Sequence, residues 1–590
     1  MNIFQEIQAQ VQQAFPALFG SEVELNKITI NETPKEFTGD ITLVVFPLLK
    51  LTKKNPEESA KTIGEYLVAN NKNITGYNII KGFLNLEINN SYWIDYTIQP
   101  ASAISQAKSE TVLIEYSSPN TNKPLHLGHV RNNVLGYALA GIYKANGYKV
   151  IKANLVNDRG IHICKSMLAW QKFGNGETPD SSGLKGDKLV GKYYVEFDRH
   201  YKQQIEDLTA QGKTKEEAEK QAPLLLEAQE MLLKWEQGDA TTIDLWKKMN
   251  GWVYEGFEVT YKNLGVDFDK FYYESDTYLL GKDIVEEGLQ KGVFFKKEDG
   301  SVWINLTADG LDQKLVLRSD GTSVYITQDI GTADLKYKDF KMDQSIYVVG
   351  NEQDYHFKVL KLILQKLGKP YANGIQHFSY GMVDLPSGKM KSREGTVVDA
   401  DDLMDDMIAS AKEQTEALGK IEEFTEEEKA ALFRTIGLGA LKFFLLRVDP
   451  KKRILFDPKE SIDLQGYTGP FVQYTYARTR SILRKSPETE NKKEAMDAVY
   501  DLHPTEKELI KILYKYPIVL ADSCREMNPA KLTDYSYEVA KTYNKFYNDC
   551  SILAAEKKDE KNFRLLLTEQ TGDIIRQCFS IVGIDVPERM

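Results

Sequence analysis

The amino-acid sequence predicts a multidomain α/β protein: a parallel sheet with a helical insertion, preceded by an amino-terminal α+β domain and followed by a carboxyl-terminal helical domain. Three observations carry this reading. A strand, loop, helix, strand succession fills residues 111–156, a polar helix-forming stretch interrupts the α/β pattern at about 172–265, and beyond about 405 no convincing strand remains. The length of 590 residues suits about three to five domains and excludes a single small binding module.

Residues 1–105 mix a helical opening (Ile3, Ile7, Val11, Phe15) with period-two runs such as Gly82–Ile88, the pattern of a small α+β domain. Residues 106–405 form the α/β domain. Thr111–Tyr116 is a buried-strand run, Ser117–Pro124 is loop chemistry, a long apolar-periodic helix begins near Gly128, and Tyr148–Val156 completes a βαβ unit. The insertion follows, with Lys213–Lys220 as its most charged run. Strand-like runs at Leu315–Leu317, Ser345–Val349 and Gln376–Tyr380 then predict that the sheet resumes, alternating with helices such as His356–Leu367. Residues 406–465 read as a helical connection and 466–590 as a helical domain, with Leu509–Tyr516 and Tyr535–Tyr547 as its clearest helices.

Composition excludes several classes. With 42% hydrophobic and 27% charged residues the chain is neither disordered nor fibrous. Its net charge of −11 argues against wholesale adhesion to nucleic acid or anionic membrane, while permitting a local basic surface. Cys164, Cys524, Cys550 and Cys578 form no C-x-x-C pair, so neither a disulfide framework nor a cysteine-rich zinc site is expected, and a reducing cytoplasm is the simplest setting. No signal peptide is expected, and no apolar stretch approaches the roughly 18 residues of a membrane span.

The strongest local signal is Pro124-Leu-His126-Leu-Gly128-His129, after a strand and at the mouth of a helix. Two imidazoles flanking a glycine can face a ligand that approaches the backbone closely, where helix N–H groups favour an anion such as phosphate. A pair of ordinary, partly buried histidines is the competing reading, and zinc is disfavoured by the spacing. The second signal is Gly388-Lys389-Met-Lys391-Ser392-Arg393-Glu-Gly395, a glycine-bounded cationic loop able to neutralise charge on a transferring phosphate. Gly186–Lys192 matches the start of a phosphate-binding loop, but Tyr193 replaces the required hydroxyl residue and no strand precedes it.

With these two elements the sequence resembles the class I aminoacyl-tRNA synthetases, His126–His129 matching their HIGH signature and Lys389–Arg393 their KMSKS loop. More specifically it is similar to the arginyl-tRNA synthetase family, through Ser118–Pro124, Arg318–Thr322, Tyr325–Asp329, Gly466–Tyr474 and the ending Pro587–Met590. The resemblance runs from Gly39-Asp40, in the style of that family's amino-terminal tRNA-contacting domain, to the last residue. It implies a class I Rossmann-type sheet and ATP-dependent activation of L-arginine to an adenylate, followed by transfer to the terminal ribose of tRNA(Arg). Mg²⁺ would accompany the ATP without a dedicated protein site.

Carried over residue by residue, the resemblance gives Glu115, Asn120, Tyr325, Asp329 and Gln353 to the amino acid. His126, His129 and Lys389 go to the reacting phosphates, and Gly128, Lys391, Ser392 and Arg393 to ATP. A guanidinium with five donors wants carboxylate partners, which Glu115 and Asp329 supply, and Tyr325 shares a face with Asp329 if its helix has begun. For each acid, a structural ion pair or helix cap is the alternative. Aligned without a gap, Ser392 stands where the second KMSKS lysine belongs. In such cases a lysine just before HIGH, here Lys123, is thought to substitute, so Lys123, Lys391 and Arg393 all stay open for that charge. Asn157–His162 follows the family's phrase only loosely, and Asp158 and His162 are read as structural.

Between Leu441 and Lys485 ten basic side chains face four acidic ones. In Phe471–Lys485, Tyr474 and Tyr476 precede Arg478, Arg480 and Arg484, supplying aromatic faces for splayed bases and guanidiniums for phosphates. A solvated amphipathic helix is the competing reading. The resemblance makes this the opening of an anticodon-binding domain. The chain is expected to act as a cytoplasmic monomer with tRNA(Arg) and L-arginine as partners and no membrane. A class I synthetase for another amino acid and a non-catalytic RNA-binding paralogue are the competing functions.

Overall fold

The computed structural model describes residues 2–99, 107–384, 386, 398–417, 419, 421–486 and 501–590. Lys389, Lys391, Ser392 and Arg393 lie outside the described residues. The chain folds as two compact units, one of Met1–Ser102, Ser486–Tyr514 and Lys545–Glu569, the other of Ala103–Lys485, Lys515–Asn544 and Gln570–Met590. Helices of the carboxyl-terminal stretch are thus divided between the two units, a partition that a reading along the chain does not anticipate.

In the first unit four antiparallel strands, β1 (Thr29–Glu32), β2 (Ile41–Val44), β3 (Ile74–Ile80) and β4 (Phe83–Ile88), stand in the order β1-β2-β4-β3. The opening helix Ile3–Phe19 starts where Asn2 accepts the Gln5 N–H and Gln5 reciprocates, and it buries Ile3, Ile7, Val11 and Phe15 along one stripe. Helix Pro56–Asn70 starts at the Asn55 cap with Pro56 in its first turn, and it buries Ile63 and Leu67. Asp40 is buried here. It accepts the Ile88 N–H at 2.7 Å and pairs with Lys507 and Lys511, which leaves it a structural acid.

The second unit holds a five-stranded parallel sheet of β5 (Thr111–Glu115), β6 (Lys149–Val156), β7 (Lys270–Tyr273), β11 (Gln344–Gly350) and β12 (Ile375–Tyr380), ordered β12-β11-β5-β6-β7. Every residue of β5 is buried, as a central strand covered on both faces requires. From β5 the chain first builds outward through β6 and β7 and later returns to place β11 and β12 on the other side. The order reverses at β5, which puts the ligand crevice at the carboxyl ends of β5 and β11. The expected class I architecture, a parallel sheet with helices and a helical carboxyl-terminal region, is the one observed.

Two strand expectations need correction. Leu315–Leu317 does not rejoin the parallel sheet. It lies in β10 (Lys314–Leu317), the edge of a separate antiparallel sheet with β8 (Phe294–Lys296) and β9 (Val302–Ile304). A three-residue apolar run carries no information on strand direction, and the pairing is set by the hairpin before it. A strand also exists beyond 405: Ile454–Leu455 pairs in parallel with Val383–Asp384, two residues being too few for a period to show.

The stretch predicted as a helical insertion consists of helices Pro179–Ser182, Gly186–Ala210, Lys215–Gln221, Pro223–Glu236 and Ala240–Leu264. The phosphate-loop-like Gly186–Lys192 is the first turns of a helix, with no strand before it. No helix among the described residues is long and apolar enough to cross a membrane.

Candidate active site

The crevice is built from the exit of β5. Ser117 and Ser118 leave the strand at φ 76° and 44°, backbone that non-glycine residues rarely adopt. The turn is held by side-chain amides. Asn132 accepts the Ser117 N–H at 2.5 Å and Asn154 accepts the Ser118 N–H at 3.1 Å. The loop then reaches the helix Leu127–Ala145, whose N-cap is His126.

The two histidines cap that helix reciprocally. His126 Nδ1 accepts the Gly128 N–H at 3.1 Å, and His129 Nδ1 accepts the His126 N–H at 3.2 Å, with ring centroids 4.0 Å apart. Gly128 is required by this approach, because a Cβ there would lie 2.9 Å from the His126 ring. Burial, aided by Lys123, lowers the His126 imidazole to about 4, and burial with His126 and Lys123 nearby holds His129 well below its ordinary value. Both rings are therefore neutral at pH 7. With each Nδ1 occupied as an acceptor of a backbone N–H, the proton sits on Nε2, leaving each ring one N–H donor. The structure thus brings together Lys123, His126, Gly128 and His129, and Lys123 and His126 also line a cavity of about 230 Å³.

The expected amino-acid residues behave less uniformly. Tyr325 opens the helix Tyr325–Phe340 and is 80% exposed, with Asp329 one turn on. Asp329 Oδ2 lies 2.6 Å from His356 Nε2. Asn120, exposed beyond β5, bridges Asn157, and Gln353 stands exposed after β11 at the start of helix Asp354–Lys366. Glu115 departs from expectation. Instead of presenting a free carboxylate it is buried against Lys336, 2.5 Å away and also buried, whose ammonium sits 4.3 Å from the Tyr347 ring centroid. The structural ion pair, held as its alternative, is what forms, because β5 has no solvent face on which an acid could stay hydrated.

A further acid stands at the end of a strand of this sheet. Glu274 follows β7 directly and is half-buried. Burial raises its carboxyl, Arg159 opposes the rise, and Asp158 and Asp329 add to it. Asp329 is thus among the charges that raise the Glu274 carboxyl. Asp158, read as structural, accepts from Tyr254 and from both the backbone and hydroxyl of Ser275.

Three comparisons bear on this geometry. Residues 97–457 match the family model for "tRNA synthetases class I (R), catalytic domain", residues 5–88 that for the "Arginyl tRNA synthetase N terminal domain", and residues 472–590 that for the "DALR anticodon binding domain". The chain belongs to the arginyl-tRNA synthetase family. Relatives named arginine–tRNA ligase from Flavobacterium psychrophilum and Bacteroides thetaiotaomicron are 56% and 55% identical, each over 100% of both chains. The fold is similar to the solved Thermus thermophilus arginyl-tRNA synthetase, with a TM-score of 0.81 and 22% identity over 100% of both chains. It is also similar to the Plasmodium falciparum arginyl-tRNA synthetase, at 0.76 and 19% over 100% of this chain and 99% of that one.

In this family member the basic helix Gly469–Arg484 corrects part of the RNA reading. Tyr476 is 1% exposed and donates to Glu588 Oε1 at 2.5 Å, so it is a core residue and offers no face to a base. Arg480 pairs with Glu588 at 2.9 Å and Arg484 donates to the Glu588 carbonyl at 3.0 Å. Arg478 donates to Asn544 and lies over the Tyr474 ring, 5.0 Å from its centroid. Lys442, counted in the basic island, is buried and donates to the Gly583 carbonyl at 2.6 Å, with burial lowering it to about 8. Part of the island's charge therefore anchors the chain's own end. Periodicity marks which residues share a helix face without saying that an acid far along the chain will meet it.

Proposed function

We propose that the chain is an arginine–tRNA ligase, which uses ATP to activate L-arginine and transfers the arginyl group to tRNA(Arg). Full-length likeness to relatives of that name supports the activity. The observation that carries the chemistry is the neutral imidazole pair at a helix mouth in the crevice between β5 and β11. The arginine carboxylate attacks the α-phosphorus of ATP, an O–P bond forms and pyrophosphate leaves. A ribose hydroxyl of the tRNA then attacks the arginyl carbonyl, and AMP leaves.

His126 and His129 donate hydrogen bonds from Nε2–H to the phosphate oxygens, positioning charge without transferring a proton. Lys123 adds positive charge beside them, with Lys389, Lys391, Ser392 and Arg393 supplying the second loop. Asp329 and Glu274 hold the guanidinium, with Tyr325, Gln353 and Asn120 around the substrate, while Glu115 acts within its pair with Lys336. Mg²⁺ arrives with the nucleotide. Tyr474 and Arg478 face the tRNA, while Arg480 and Arg484, tied to Glu588, and Tyr476, in the core, hold that helix in place. Residues 1–105 and 466–590 are the tRNA-contacting domains, 106–405 the catalytic domain and 406–465 the connection, in a cytoplasmic monomer.

The test is ATP–pyrophosphate exchange with arginine and total tRNA. Wild type is expected to exchange, and Asp329→Asn to raise KM for arginine roughly tenfold to a hundredfold, the worth of a hydrogen bond to a charged group. Unchanged KM for arginine in that variant would contradict the assignment.

A further inference from the structure

The insertion at residues 172–265 has no chemistry in the reading above, yet its first long helix grips the segment that leads into the helix Ala400–Ala417. Lys188 Nζ lies 2.7 Å from Asp402 Oδ1 and 3.3 Å from Asp399 Oδ1. Lys185, the residue before that helix, pairs with Asp401, lies 3.1 Å from the fully buried Asp187 and donates to Thr260 Oγ1 at 2.6 Å. Thr260 in turn donates to Asp401 Oδ2 at 3.2 Å.

Asp399 is joined to both sides. Its carboxylate caps the helix Ala400–Ala417, accepting the N–H groups of Asp401 at 2.9 Å and Asp402 at 3.2 Å. Its backbone forms an antiparallel bridge with His126. Flanking that bridge, the Leu127 N–H donates to the Val398 carbonyl at 3.3 Å and the Ala400 N–H to the Leu125 carbonyl at 2.9 Å. Asp399, Asp401 and Asp402 crowd one helix start with Asp187 buried close by, and the two insertion lysines supply the opposing charge. Not all of these contacts carry equal weight. The Asp402 side chain is 65% exposed, so its pair is screened, whereas Asp399 is only 12% exposed.

We infer that Lys188, backed by Lys185, is a positioning residue for nucleotide binding: it holds Asp399, and through the backbone bridge it fixes where the His126 end of the histidine pair points. The insertion is then a brace for the nucleotide half of the site and leaves the amino-acid half alone. This rests on the reading of His126 and His129 as phosphate-facing groups.

The test is calorimetric titration of the full chain with a non-hydrolysable ATP analogue and, separately, with L-arginine, for wild type, Lys188→Met, Lys188→Arg and Asp402→Asn. Lys188→Met is expected to weaken analogue binding about tenfold, as loss of one partly buried charged hydrogen bond would, with arginine binding unchanged. Lys188→Arg should restore most of that loss, and Asp402→Asn should bind as wild type does. Lys188→Met with wild-type analogue affinity would overturn the inference. So would equal weakening toward both ligands, or an arginine variant as poor as the methionine one. A wild-type chain that binds the analogue but not arginine would instead sink the proposed function and leave this inference standing.

Discussion

At His126 and His129 the chemistry follows from which nitrogen is occupied. A backbone N–H on each Nδ1 fixes the tautomer, and burial removes the cationic form, so each ring keeps one N–H to donate. This has a consequence for stability. Folded-state affinity for the proton lies below the unfolded value near 6.5, and His126 falls to about 4. The unfolded chain therefore binds more protons between about pH 4 and 6.5, and stability is full above that window and lost as pH falls through it. The urea midpoint of wild type should decline more steeply from pH 6.5 to 4.5 than that of His129→Asn, and parallel declines would contradict the burial account. The pair was legible because its geometry is local: N-cap and third helical residue are neighbours in sequence. Glu115 was legible as an acid at a strand end, but not as Lys336's partner, because that lysine arrives from a helix far along the chain.

Among the elements, the helix Leu127–Ala145 is packed closely on two sides. It lies against the sheet at one face and, at Gly141, against the chain's last helix, where an added Cβ would stand 1.9 Å from the Ile581 carbonyl oxygen. That atom is backbone and cannot rotate away. Gly141→Ala should cost about 1–3 kcal/mol by overpacking, read as a lower urea midpoint, and an unchanged midpoint would show that the two helices are not in contact. Element type was largely readable from periodicity, as in Ile3–Phe19 and Asp354–Lys366. Partners were not. Leu315–Leu317 has the composition of any short strand, and only its hairpin with Val302–Ile304 decides its sheet. The same limit hid Tyr476: its spacing from Arg480 marks one helix face, and the acid that turns this face inward, Glu588, lies at the end of the chain.

For the whole molecule, an acidic chain of net charge −11 must bind a polyanion through local basic surface, and some of that surface is spent on its own carboxyl terminus. What remains has to be reached by tRNA, while on the proposed function one crevice selects a cationic amino acid and holds ATP. Selectivity is thus the property that depends on every part at once. The most direct measurement is charging of total tRNA by the purified chain with ATP and each labelled amino acid in turn. Labelled arginine should enter tRNA while lysine, methionine and the others stay at background. Charging with a different amino acid, or none with arginine, would contradict the account.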